Sequence, residues 1–94
     1  METLWVDFNN MGKEGVRLIC QGTIDELNAK SIILHDGLQL LIWDNDRDDF
    51  GKSDNLSVNS VVRYSDIDHC WVAQFDNDDL MHDSERQSRN NSSN

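Results

Sequence analysis

The sequence predicts an all-β fold, a small five- to six-stranded antiparallel SH3-like barrel, and three observations predict it. Within residues 1–76 apolar side chains recur at every second position more often than at every third and fourth, the period of strands with one buried face. The apolar runs are short and are separated by stretches rich in Asp, Asn, Ser and Gly. No long helical pattern competes with them. Six short twisted strands bury most when they curl, because an open sheet leaves one face wet and two edges unpaired.

Residues 4–8 alternate, with Leu4, Val6 and Phe8 on one side and Trp5 on the other. Residues 16–21 place Val16, Leu18 and Cys20 together against Arg17 and Gln21, and only Ile19 breaks the pattern. Thr23 and Glu26 have the spacing of a capping box, which predicts one helical turn over roughly residues 24–29 as a connector. Residues 31–35 and 38–43 flank Asp36-Gly37, a pair that favours the positive φ angles of a type I′ turn and so predicts a hairpin. On its second strand Leu38, Leu40 and Ile42 share one face, and Gln39, Leu41 and Trp43 the other. After a polar loop over residues 44–57, the alternation resumes at 58–64 and 70–75 around turn residues 65–68. Trp71, Ala73 and Phe75 line one face of the last strand.

The domain is expected to span residues 1–76. Residues 77–84 carry only Leu80 and Met81 as apolar anchors and predict a short helical turn with acids at its start. Residues 85–94 have no aliphatic or aromatic side chain to offset the entropy of ordering them, which predicts a disordered polar tail.

Composition narrows the function classes. The 94 residues carry 18 acidic and 8 basic side chains, a formal net charge of −10, which opposes any binding that works by neutralising phosphates. No direct nucleic-acid partner is expected. The first twenty residues interleave charged and amide side chains, which leaves no room for the apolar core of a secretory signal. The longest unbroken apolar run is residues 40–43, far short of the roughly 20 residues needed to span a bilayer. A cytoplasmic protein without membrane contact is expected, with Cys20 and Cys70 reduced.

The chemistry-bearing clusters are weak. Asp44, Asp46 and Asp48 at alternate positions resemble the opening of a helix-loop-helix calcium loop. The match then fails, because the sixth position is Asp49 where a Gly makes the turn and the twelfth is Asn55 where a Glu closes the coordination sphere. A divalent-metal site on Asp44, Asp46, Asp48, Asp49 and Asp54 is therefore the alternative reading, and a solvated loop the leading one. Zinc would draw on Cys20, Cys70, His35, His69 and His82, but no Cys-x-x-Cys or comparable His spacing pre-positions a pair. Nucleophilic catalysis would need a thiol beside a base, yet Cys70 is flanked by Asp66 and Asp68, whose charge raises a thiol pKa and weakens the nucleophile. The glycines form no phosphate-cradling series. The chain is expected to be neither an enzyme nor a cofactor carrier.

What remains is the apolar side chains that fall off the core face: Trp5, Ile33, Leu41, Trp43 and also Val61. If Ile33, Leu41 and Trp43 lie on the outer face of the central hairpin, they form an apolar patch rimmed by carboxylates, and such patches mark partner sites. Tryptophan is the side chain most enriched among binding hot spots. The leading expectation is a non-enzymatic interaction module that docks a protein partner through Trp5, Ile33, Leu41 and Trp43, with the acidic field favouring a basic surface. Burial of the same residues by tertiary packing is the bland alternative, and a homodimer through the patch lies between the two.

Overall fold

The computed structural model describes residues 1–47 and 50–86. The described chain is mostly strand: a six-stranded sheet with a few short helical segments. In order these are β1 (Glu2–Trp5), β2 (Val16–Arg17), α1 (Gln21–Ala29), β3 (Gln39–Asp44), β4 (Leu56–Ser65), β5 (Cys70–Gln74), a 3-10 turn at Asn77–Asp79, and β6 (Met81–His82). Strand order is β1-β3-β4-β5-β2, with β6 added to β4 where β5 has ended. Among the described residues no ladder joins β1 to β2, so the sheet is not closed.

The two-residue period sorts the side chains as the sequence implies. Leu4, Val6, Leu40, Ile42, Val58, Val62, Ala73 and Val16 are fully buried on the inner face, joined by Leu18 and Leu27. The registers Leu4↔Ile42, Ile42↔Val58, Val62↔Ala73 and Val16↔Ala73 place these residues side by side across five strands. Burial on that scale contributes about 1.5–3 kcal/mol for each large aliphatic side chain, which is what holds strands this short together. Phe8, Trp71 and Phe75 pack on the rim of this core.

The sheet is strongly curled. Three strand spacings separate β1 from β5, about 14 Å in a flat sheet. Yet Phe8, just beyond β1, meets Phe75, just beyond β5, edge to face with ring centroids 5.7 Å apart.

Three expectations are corrected. The sheet is not wholly antiparallel, because β1 runs parallel to β3 with Leu4 opposite Ile42 and Trp5 opposite Trp43. A parallel pair needs a crossover, and the intervening α1 supplies it.

Residues 31–35 form no strand, so Asp36-Gly37 joins no hairpin. Gly37 has φ +91° but Asp36 has no positive φ, which is the pattern of a type II rather than a type I′ turn. A type II turn does not match the twist of two paired strands. The turn is instead tied to β4, with Gly37 N donating to the Val62 carbonyl at 2.9 Å and Tyr64 N donating to Asp36 Oδ1 at 2.9 Å.

The helix begins at Gln21, not near residue 24, and its N-cap Cys20 makes no side-chain cap bond. Thr23 and Glu26 form no capping box because both are engaged with the backbone of β1.

At the C-terminal end, residues 83–86 are helical, and this turn includes residues 85 and 86, the first two of the expected tail. The rest of the expected tail, residues 87–94, lies outside the described residues.

Candidate functional site

The outer face of the sheet carries the site. Alternation along β3 that sends Leu40 and Ile42 inward sends Leu41 and Trp43 outward, where both are half-buried. Register sets Thr3 of β1 beside Leu41, and Asn59 and Ser57 of β4 opposite Leu41 and Trp43. Thr3, Leu41, Trp43, Asn55, Ser57 and Asp83 line an open groove of ≈340 Å³. Its floor is the isobutyl and indole side chains, and its rim is hydroxyl, amide and carboxylate.

One wall of this groove is the C-terminal segment. β6 pairs with the start of β4 through Leu56↔His82 and Ser57↔Met81. Asp83 N then donates to the Asn55 carbonyl at 2.9 Å. Arg86 donates from Nε to Ser57 Oγ at 2.8 Å and from its terminal nitrogen to the Ser57 carbonyl at 3.1 Å, which holds the helical turn over β4. Ser84 donates through N and Oγ to the two carboxylate oxygens of Asp54, at 3.0 and 2.7 Å.

His82 closes this wall against the β3–β4 loop. Its Nε2 lies 2.7 Å from Asp46 Oδ2 and its Nδ1 lies 2.9 Å from Glu85 Oε1. Hydrogen bonds donated to the two carboxylates, Asp46 foremost, raise the His82 pKa above its ordinary value. The same bond to His82 is the main reason that Asp46 is held below the ordinary carboxylate value, and the Ser84 hydroxyl does the same for Asp54.

The four sequence-derived partner residues do not all meet. Leu41 and Trp43 share the groove. Trp5 is half-buried but turned to structural use: its Nε1 donates to Asp44 Oδ1 at 3.1 Å, and its six-membered ring lies against Gly22 of α1, where an added Cβ would sit 3.0 Å from Cζ3. Ile33 is 81 % exposed but lies in the loop between α1 and β3, away from the groove lining, because the strand that was to carry it does not form. Thr3, Asn55, Ser57 and Asp83 complete the lining. Parity with Trp5 gives a signal for Thr3. Nothing local points to Asp83, whose place depends on a pairing 26 residues along the chain.

In the acidic loop, Asp44 accepts from Trp5 Nε1, from Phe8 N at 3.1 Å and from Asn45 N at 2.7 Å, so it ties the loop to β1. Asp46 is engaged by His82 and Asp54 by Ser84, while Asp48 and Asp49 lie outside the described residues. Among the described residues no group of three or more His, Cys, Asp or Glu is placed to hold a metal ion. Cys20 and Cys70 form no disulfide and are half-buried, and Cys20 Sγ accepts from Asn10 Nδ2 at 3.4 Å. Burial, with Asp68 adding to it, pushes the Cys70 thiol up and keeps it protonated. No helix among the described residues is long and apolar enough to cross a membrane.

Comparison of the chain with protein-family models, with curated proteins and with solved structures finds no match in any of the three.

Proposed function

We propose that this chain is a non-enzymatic, cytoplasmic interaction module that docks a protein partner through the Leu41–Trp43 groove. The observation that carries the reading is the outward placement of a leucine and a tryptophan side by side on β3, half-buried and flooring an open groove with a polar rim. An aromatic floor enclosed by hydrogen-bonding side chains is the anatomy of a binding hot spot. The partner surface is basic, in keeping with the chain's net charge of −10 and with Asp83 on the rim. The platform is read as an incomplete SH3-like barrel, a reading supported by the curl that brings Phe8 onto Phe75.

The test uses the full chain with Trp43→Ser and Leu41→Ser variants, each checked by thermal melting and by sedimentation. Capture of a specific partner by the wild-type chain, lost in both variants at unchanged melting temperature and weakened by added salt, supports the reading. Capture indifferent to both substitutions overturns it, as does unfolding of both variants, since those side chains would then be core. A self-association abolished by the same substitutions assigns the groove to a second copy of the chain instead.

A further inference from the structure

We propose that residues 81–86 form a pH-sensitive latch along the Leu41–Trp43 groove, tightest while His82 is an imidazolium bridging Asp46 and Glu85 and loosened when it loses its proton. The latch is independent of the docking proposal. Only its consequence for a partner rests on that reading.

The geometry requires a charged ring. Both imidazole nitrogens face carboxylate oxygens, at 2.7 Å to Asp46 and 2.9 Å to Glu85. An ionised carboxylate only accepts hydrogen bonds, so both nitrogens must donate, and only the imidazolium has two N–H groups. Neutral imidazole turns one lone pair toward a carboxylate and replaces an attraction with a repulsion.

The two bonds have different reach. Glu85 is three residues from His82 and belongs to the same segment, whereas Asp46 is 36 residues away in the β3–β4 loop. Loss of the proton therefore removes a tertiary tie, not merely a local one.

His82 is not the segment's only tie: Asp83 N donates to the Asn55 carbonyl, Ser84 to Asp54 and Arg86 to Ser57, and the contact with Asp46 is the one among them that the charge of the imidazole governs. β6 has two residues, and one isolated pair of bridges is a weak ladder. The groups that face His82 are Asp46 and Asp54 from the loop and Glu85 from its own segment, with Asp83 and Arg86 alongside. Leu56, its partner on β4, carries no charge. Once His82 is neutral, Asp46 and Glu85 lose the cation between them, and Asp54 loses a favourable charge nearby. Asp83 lines the groove, so loosening of the segment loosens part of the groove's rim.

The experiment is an NMR titration of the full chain over about pH 5 to 9, the range in which histidine changes charge. It follows the His82 ring Cε1–H and the exchange of the Asp83 and Ser84 amides, corrected for the intrinsic pH dependence of exchange. Expected are a His82 midpoint above 6.5 and an opening of both amides that follows the same curve. The opening constant should grow by roughly tenfold for each unit by which the midpoint exceeds the ordinary value. Asp46→Asn should lower the midpoint, and His82→Gln should make the opening independent of pH. A midpoint at or below 6.5 overturns the proposal, and so do amides that stay protected through the whole titration. If His82→Gln does not fold, the wild-type curve and Asp46→Asn decide the matter. No partner is added at any step, so a failed latch and a failed docking site are told apart.

Discussion

Thr23 Oγ1 donates to the main-chain carbonyl of Trp5 at 2.9 Å, a bond that one strand ordinarily makes to another and that here is made by a helix. β1 is an edge strand, and Thr3 and Trp5 turn their backbone polar groups away from β3. α1 meets them with side chains: Glu26 accepts from Trp5 N at 3.3 Å, and Lys30 Nζ donates to the Thr3 carbonyl at 2.8 Å while pairing with Glu26 at 2.9 Å. A strand edge left open is a template for pairing with another chain, and these three residues cover it.

Thr23 is fully buried, so removing its hydroxyl leaves the Trp5 carbonyl without a partner. Thr23→Val should destabilise the fold by about 1–3 kcal/mol, the usual cost of an unsatisfied buried acceptor. Thr23→Ser should recover most of it. Urea unfolding curves measure both, and equal stability of Thr23→Val and wild type would mean that the bond contributes nothing.

α1 ends in a Schellman motif with the wrong residue for it. Ser31 has φ 55°, Ser31 N donates to the Asn28 carbonyl, and Ile32 N donates to the Leu27 carbonyl. The left-handed conformation costs a residue with a Cβ about 1–2 kcal/mol, partly offset because glycine is more disordered when unfolded. Ser31 is exposed, so its replacement loses no packing. Ser31→Gly should therefore stabilise the protein by about 0.5–1 kcal/mol. A rise of several degrees in melting temperature is the readout, and a fall would show that the serine side chain holds the turn.

Stability should depend on pH in a defined window. The His82 pKa is raised on folding, so its contribution is complete below the ordinary value of 6.5 and disappears as pH rises through the folded value. Asp46 and Asp54 are lowered, so their contribution is complete above 3.8 and disappears as pH falls through their folded values. The segment around His82 thus stabilises the fold most between 3.8 and 6.5. These groups are solvent-accessible, and salt should shrink the effect. Chemical denaturation at stepped pH checks it: in His82→Gln the loss on the alkaline side should vanish while the loss on the acid side persists through Asp54.

Side-chain sorting along β1, β3, β4 and β5 was legible in the sequence, because a strand's two faces are fixed by local geometry and the period of two needs no knowledge of neighbours. That is why Ile42 is read as core and Trp43 as outer face before any pairing is known. Even residues 31–35 keep the right sides, with Ile32 and Leu34 packed against the core and Ile33 exposed, although they form no strand.

Which segments pair is a different kind of fact, set by contacts between residues far apart in the chain, and only the tertiary structure decided it. The parallel placement of β1 on β3, the use of Thr23 and Glu26 on a strand edge rather than at a helix cap, and the return of residues 81–86 to β4 all rest on such contacts. So does the meeting of His82 with Asp46, which no spacing in the sequence announces. Periodicity assigns a side chain to a face; the free energy gained by distant surfaces when they close on one another determines what that face meets.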